Sequence, residues 1–313
     1  MRALMEPVLA HVPPGSRLLI VAAGPLAGLP FGALPIGSTI ASAQPLLARY
    51  EIAYIPSLAL FADGRSTSRR APTRGVFAMA NPTASPAGAG VSLVASVAEA
   101  RIAASLASAS DVRVGDNATE TAVKRAPLSE YAVLHFATHA LLDARVPERS
   151  AVLLTRTPDD DGLLQPREIY GLRLGGALVV LSGCQTAAGR ASAAEGLHGL
   201  ARAFLFAGSH AVVGTLWDVE DRVTARLMIH MYRELSAGRP LVCALRAAQL
   251  AAAGPHPYAH PAAWAPFLVM GDPAITVVSA NASPIDRALT AVLASVAVML
   301  VAIAVAGVCA AKR

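Results

Sequence analysis

The chain has 313 residues, of which 54% are hydrophobic, 15% charged and 5% aromatic. This length and low charge allow a large buried core, which excludes a disordered or fibrous protein. The three cysteines form no CxxC pair, a spacing that argues against a disulfide scaffold and a cysteine-rich zinc site. The formal net charge is +5, but the basic residues are scattered with no aromatic-interleaved stripe. We therefore expect no nucleic-acid binding.

Short apolar strands alternate with alanine-rich helices along residues 1–279. This alternation predicts an α/β fold with a mainly parallel sheet, and near-continuous apolar strands predict a sheet that helices cover on both faces. The predicted strands are Arg17–Ala22, Tyr50–Ile55, Val76–Ala80, Asp111–Val114, Tyr131–Ala137, Ala151–Thr155, Ala177–Ser182 and His210–Leu216. The predicted helices are Leu93–Ser108, Thr119–Ala126, Glu195–Ala207, Val223–Leu235 and Leu241–Ala253.

Two reactive side chains follow predicted strands at their carboxyl ends, where open α/β sheets place their ligands. His139 follows the strand Tyr131–Ala137, and Cys184 follows the strand Ala177–Ser182 after a glycine that allows a sharp turn. If these strands are neighbours, the thiol and the imidazole face each other across one crevice. The imidazole would then raise the thiolate fraction or accept the thiol proton. The backbone N–H groups of Cys184 and Ala140 are candidates for holding an oxyanion.

The residues alone leave other interpretations open. A cysteine behind a strand is often a small buried hydrophobe, and a single histidine is often a satisfied polar group. His135 is a rival base, but its mid-strand position predicts a role in the core. The segment Ser182–Thr186 resembles a nucleophile elbow, and a thiol-dependent esterase would then use a downstream histidine such as His198 or His210. No phosphate loop or HExxH metal helix occurs, so we expect no cofactor and no metal.

Six segments, in chain order, resemble the CHAT family of caspase-like cysteine peptidase domains, which are related to separases and often joined to TPR repeats. The segments are Leu134–Ala140, Asp161–Leu172, Val179–Ala187, Glu195–Gly208, Val213–Asp221 and Trp264–Pro273. The resemblance implies a caspase-like fold over residues 1–279 and a cysteine endopeptidase that acts on protein substrates. It also favours a bacterial source. Because no TPR array is visible in the chain, a separate sensor or activator protein is expected.

The resemblance also implies roles for individual residues. His139 matches the catalytic histidine of the family and Cys184 its nucleophile, with the backbone of Ala140 and Cys184 at the oxyanion. The segment Leu216–Asp221 is similar to the separase segment that forms the pocket for a substrate arginine. Asp218, with Asp221, is therefore expected to select a basic side chain before the cleaved bond. Ala140 replaces a glycine common in the family, which keeps open an inactive scaffold that binds protein partners.

The C-terminal segment is a candidate membrane anchor. Residues 288–311 contain no charged side chain and would form a helix about 36 Å long, against a hydrocarbon core of about 30 Å. We predict a transmembrane helix at Ala288–Ala311, after a linker at residues 280–287 and before a short basic tail at residues 312–313. The peptidase domain would then lie in the cytoplasm. A buried core helix is the alternative interpretation.

Overall fold

The computed structural model of the chain describes residues 2–37, 43–59, 72–83, 93–105, 107–143, 145–183, 190–254 and 260–277. Across these ranges, no helix is both long enough and apolar enough to cross a membrane. The predicted linker, transmembrane helix and basic tail (residues 280–313) lie outside the described residues, as does Cys184.

The described residues form strands and helices of the predicted α/β kind. The strands are β1 (Arg17–Ile20), β2 (Pro35–Ile36), β3 (Gln44–Pro45), β4 (Glu51–Tyr54), β5 (Arg74–Ala80), β6 (Asp111–Val114), β7 (Tyr131–Ala137), β8 (Ala140–Leu141), β9 (Ala151–Leu153), β10 (Leu163–Leu164), β11 (Leu178–Leu181), β12 (Ala211–Thr215) and β13 (Phe267–Gly271). The helices are α1 (Arg2–Leu9), α2 (Val94–Ala104), α3 (Glu120–Arg125), α4 (Pro166–Ile169), α5 (Arg190–Phe206), α6 (Asp221–Ser236), α7 (Leu241–Ala252) and α8 (Pro261–Trp264). Short 3-10 helices span Gly24–Gly28, Phe31–Ala33, Leu46–Ala48, Gly115–Asn117, Leu128–Glu130 and Pro147–Arg149.

Eight strands form one twisted sheet in the order β1-β4-β13-β12-β11-β7-β5-β6. Every pairing in it is parallel except that of β12 with β13. The prediction of a mainly parallel sheet is therefore confirmed. The predicted strand at Ala151–Thr155 exists in shorter form as β9, but it pairs antiparallel with β8 and β10 in a separate three-stranded sheet.

Helices cover the central sheet on both faces, as predicted. One layer contains α5, which packs Leu197 and Phe204 against alternate strand residues such as Leu134 and Phe136. The opposite layer contains α2, α6 and α7, which pack against the remaining residues of the same strands, including Val133. Because both faces are covered, β7, β11 and β12 are buried along their whole length, which explains their near-continuous apolar sequences.

A buried polar cluster joins β7 to the layer of α2 and α6. The imidazole Nδ1 of His135 lies 2.8 Å from the hydroxyl of Tyr232, and its Nε2 lies 3.0 Å from Oε1 of Glu99. All three side chains are almost fully buried. This confirms that His135 belongs to the core, because its side chain is fully buried within the sheet–helix contact.

A second polar cluster surrounds Lys124 at the end of α3. Its ammonium group lies 2.6 Å from Glu120, 2.7 Å from Asp160 and 2.9 Å from Glu168. Lys124 lowers the pKa of Asp160, and the same ammonium, with the backbone N–H of Gln165, lowers the pKa of Glu168 against the effect of burial. Burial raises the pKa of Glu120. One cation thus holds together α3, the turn before β10, and α4.

We predict that Lys124→Met lowers the free energy of unfolding by about 2 kcal/mol at neutral pH, because it leaves buried carboxylates without their counter-charge. Urea unfolding measures this change. Arg125→Met is the matched control, since Arg125 forms only an exposed, 3.5 Å pair with Asp159, and exposed pairs contribute little. Equal destabilisation by both substitutions would contradict a special role for Lys124.

The pH dependence follows from the directions of the pKa shifts. Asp160 and Glu168 have lowered pKa values, so their stabilisation is present above their ordinary pKa and is lost as the pH falls through the folded-state pKa. Glu120 has a raised pKa and contributes with the opposite sign. The difference between the wild type and Lys124→Met should therefore shrink as the pH is lowered from 7 to about 3.

Candidate active site

The carboxyl ends of four adjacent parallel strands meet at one edge of the sheet. In spatial order these strands are β12, β11, β7 and β5. Polar residues follow each of them: Asp218 after β12, Ser182 after β11, His139 after β7 and Asn81 after β5. This edge is where the sequence placed the candidate site, and parallel α/β sheets bind their ligands at such an edge.

The ends of β7 and β11 are in direct contact. The two strands pair in parallel with Leu181 opposite Phe136, and the Ser182 N–H donates to the Phe136 carbonyl at 3.2 Å. A Cβ atom on Gly183 would lie 2.3 Å from the carbonyl oxygen of Thr138. Only glycine allows this approach with the backbone as it stands. The prediction that the two strands are neighbours is therefore confirmed, up to the residue before Cys184.

His139 lies in the short segment between β7 and β8 and is half-buried. Its carbonyl accepts a hydrogen bond from the Leu153 N–H at 2.8 Å, and Ala140 pairs antiparallel with Val152. In this register the hydrogen bonds to β9 come from the residues that flank Ala140. The Ala140 N–H therefore points away from β9, as a donor for an oxyanion would require.

The first turn of α2 is fastened to this edge by two side chains. Asn81, in the left-handed region at φ 44°, accepts the Leu93 N–H on its Oδ1 at 2.9 Å. Asp221 accepts the Ala95 N–H on its Oδ2 at 2.8 Å. Asp221 is the first residue of α6, so its carboxylate caps a different helix from its own. Asn81 and Ala95 were not predicted, because nothing in the sequence indicates that they lie at this edge of the sheet.

Burial raises the pKa of Asp221, and the negative charge of Glu99 acts in the same direction. The hydrogen bond from Ala95 opposes this rise, as do the positive charges of His139 and Arg222. The carboxylate of Asp221 is therefore within electrostatic range of His139, one of the residues predicted to form the site.

Asp218 occupies a different environment from Asp221. It is exposed and follows Trp217, whose indole N–H donates to the Ala262 carbonyl at 2.9 Å. Trp217 is partly buried in the layer that contains α6, and Trp264 is 3% exposed in the same layer. The tryptophan thus anchors the segment after β12, while the neighbouring carboxylate faces solvent at the sheet edge.

The remaining candidate side chains have other contacts. The Nε2 of His198 lies 3.3 Å from the Ala27 carbonyl, and burial lowers the pKa of this histidine. The Cys243 thiol donates to Glu51 at 2.9 Å, and burial together with that carboxylate raises the thiol pKa. Within the ranges that the structure describes, no group of three or more His, Cys, Asp or Glu side chains could hold a metal ion.

Solved structures of cysteine peptidases share this fold. The chain aligns with the Arg-specific cysteine proteinase gingipain R at a TM-score of 0.52 and 12% identity, over 73% of this chain and 55% of that one. It aligns with the Saccharomyces cerevisiae separase–securin complex at a TM-score of 0.52 and 14% identity, over 81% of this chain and 15% of that one. Identities this low establish the fold alone, and the predicted caspase-like architecture is confirmed.

Sequence comparison finds relatives and a family. Tetratricopeptide repeat protein 28 is 34% identical over 131 residues in Mus musculus and 30% identical over 136 residues in Homo sapiens. These alignments cover 42% and 44% of this chain but only 5% of each relative. Mammalian relatives do not support the expected bacterial source. A family model of the CHAT domain matches residues 1–272. The chain therefore belongs to the CHAT domain family.

Proposed function

We propose that the protein is a cysteine endopeptidase whose catalytic pair is His139 and Cys184. The observation that carries this proposal is the contact between Gly183 and Thr138 at the ends of β11 and β7. The strand register places Leu181 opposite Phe136, and counting three residues further along each strand predicts Cys184 opposite His139. The CHAT family and the caspase-like fold support the same chemistry.

The proposed pair performs acyl transfer in two steps. The His139 imidazole takes the proton of the Cys184 thiol, and the thiolate attacks the carbonyl carbon of the substrate peptide bond. The N–H groups of Ala140 and Cys184 donate to the resulting oxyanion. The imidazolium then protonates the leaving amine, and a water molecule hydrolyses the thioester and restores the free thiol.

Asp218 is the proposed specificity residue for a basic side chain before the cleaved bond. It is exposed and follows β12, the strand next to β11, so its charge lies at the sheet edge to which Gly183 also belongs. One neighbour of the same fold is named as an Arg-specific cysteine proteinase. A bound substrate would cover this carboxylate, and a covered carboxylate without a cationic partner costs about 2–5 kcal/mol, which corresponds to strong discrimination against neutral side chains.

We predict that the full chain cleaves peptides with Arg before the scissile bond at least tenfold faster than peptides with Asp there, because Asp218 attracts the cation and repels the acid. Fluorogenic peptides measure the rates. Cys184→Ala should abolish turnover, whereas Cys243→Ala, which removes a thiol bonded to Glu51, should retain it. Turnover that survives Cys184→Ala would contradict the proposal.

Thiol labelling tests the pair without a substrate or an activating partner. Cys184 should react with iodoacetamide faster than Cys243 at pH 7, because an imidazole stabilises its thiolate while burial and Glu51 raise the pKa of Cys243. His139→Ala should remove this advantage. Equal and slow labelling of both cysteines would contradict the enzyme and favour the scaffold, in which Ala140 adds a methyl group beside the oxyanion position and the groove binds protein partners.

We further propose that residues 288–311 anchor the protein in a membrane as a single C-terminal span, with the CHAT domain in the cytoplasm. The support for this is the sequence alone: 24 uncharged residues between Asp286–Arg287 and Lys312–Arg313. A helix of that length spans a bilayer core. A protein activator, if required, would then meet the peptidase at the membrane surface.

The anchor predicts how the protein partitions between fractions. The full chain should stay in membranes after an alkaline carbonate wash, because the apolar segment is stable only in lipid. A chain that ends at Ser283 should be released into the supernatant, and immunoblotting of both fractions measures the outcome. Replacing Ala311 by Glu at the end of the segment is a mild control that should preserve retention. Release of the full chain would contradict the span.

A further inference from the structure

Asp221 lies where it can act on the proposed catalytic histidine instead of on the substrate. We propose that Asp221 is a positioning residue for His139: its carboxylate is fixed by the Ala95 N–H and orients the imidazole. This inference rests on the proposed His139–Cys184 pair. It assigns different roles to the two acids after β12, because Asp218 would contact the substrate and Asp221 would contact the base.

A continuous set of hydrogen bonds places Asp221 beside the end of β7. The Asn81 N–H donates to the Ala137 carbonyl at 3.3 Å, and the Asn81 side chain accepts the Leu93 N–H at 2.9 Å. Two residues further along α2, the Ala95 N–H donates to Asp221 at 2.8 Å. The first turn of α2 therefore joins Asp221 to a strand residue only two positions before His139.

The side of the sheet agrees with this placement. Along β7, Val133 and Ala137 pack into the layer of α2 and α6, and His135 contacts Glu99 and Tyr232 of the same helices. β7 therefore delivers the chain to this layer at Ala137, two residues before His139. Asp221 begins α6 and contacts α2, so the acid belongs to the layer that β7 faces at its end.

The charges around Asp221 support an interaction with His139. The groups that act on its carboxyl are Glu99 of α2, which disfavours the ionised form, and His139 and Arg222, which favour it. Burial raises the pKa of Asp221, and the bond from Ala95 partly reverses that rise. Because Ala95 already fixes one oxygen of Asp221, the acid is oriented before a substrate binds.

The test is the pH dependence of Cys184 labelling by iodoacetamide in the full chain. Asp221→Asn keeps an oxygen that can accept the Ala95 N–H but removes the charge. We expect the profile of Asp221→Asn to shift, with a loss of about fivefold in labelling rate near pH 7, because without the acid the proton of the pair returns from the imidazole to the thiol. Above about pH 9, where the thiol ionises without help, the two rates should converge. Glu220→Gln is the matched control, because it removes the same charge from an exposed neighbour that makes no side-chain cap.

The outcomes distinguish this inference from the proposed function. If the labelling rate of Asp221→Asn depends on pH as it does in the wild type, while Cys184 still reacts faster than Cys243, the inference is wrong and the catalytic pair remains supported. An equal shift in Glu220→Gln would overturn it by showing a general charge effect. Slow Cys184 labelling in the wild type would instead contradict the proposed function itself.

A second variant separates charge from folding. Asp221→Glu keeps the carboxylate and should retain most of the wild-type rate, so a loss as large as that in Asp221→Asn would also overturn the inference. Asp221→Asn should unfold at a temperature that matches or exceeds that of the wild type. The raised pKa of Asp221 means that ionising this carboxyl costs folding free energy as the pH rises through its pKa, and asparagine removes that cost.

Discussion

The pairing of β7 with β11 is the constraint on which the rest of the structure depends. Every residue of both strands is buried, with alternate side chains in two different layers. A slip of one residue would turn His135 away from Glu99 and Tyr232 and into the apolar layer of α5. The cost of such an unpartnered polar group fixes the register. The same register brings Thr138 and Gly183 into contact, so the core fixes how closely the chain after β7 approaches the end of β11.

The sheet could be predicted from the sequence because strands covered on both faces are continuously apolar. The run from Ala177 to Leu181 is typical of such a strand, and it forms β11. The strand β13 was not predicted, since a five-residue apolar run just after α8, which ends at Trp264, has no period that distinguishes a strand from a buried helix. Its antiparallel place beside β12 is decided by packing. The segment that forms β9 was likewise predicted as a strand, but only tertiary contacts decide whether it pairs in the central sheet or in the three-stranded sheet.

The site could be predicted in part. The positions of His139 and Cys184 after two strands indicated a shared edge, and the structure confirms that edge up to Gly183. The difference between Asp218 and Asp221 could not be predicted, because the partner of Asp221 is a backbone N–H 126 positions away in the chain. An acidic residue at the start of a helix usually caps that same helix. Asp221 instead caps α2, and only the packing of α6 against α2 makes that possible.

Helix α2 explains why an observed acid–imidazole contact and a proposed one lie side by side. Ala95 and Glu99 are four residues apart and so share one face of the helix, while His135 and His139 are four residues apart along β7 and its continuation. Glu99 meets His135 where both are almost fully buried, which holds the strand against the helix. Asp221, bound at Ala95, lies nearer the half-buried rim where His139 is accessible. The buried contact cannot exchange protons readily with solvent and therefore serves the fold. The proposed pair at the rim lies where His139 is half-buried and can exchange protons with solvent, so of the two acid–imidazole pairs only the outer one could take part in the proposed chemistry.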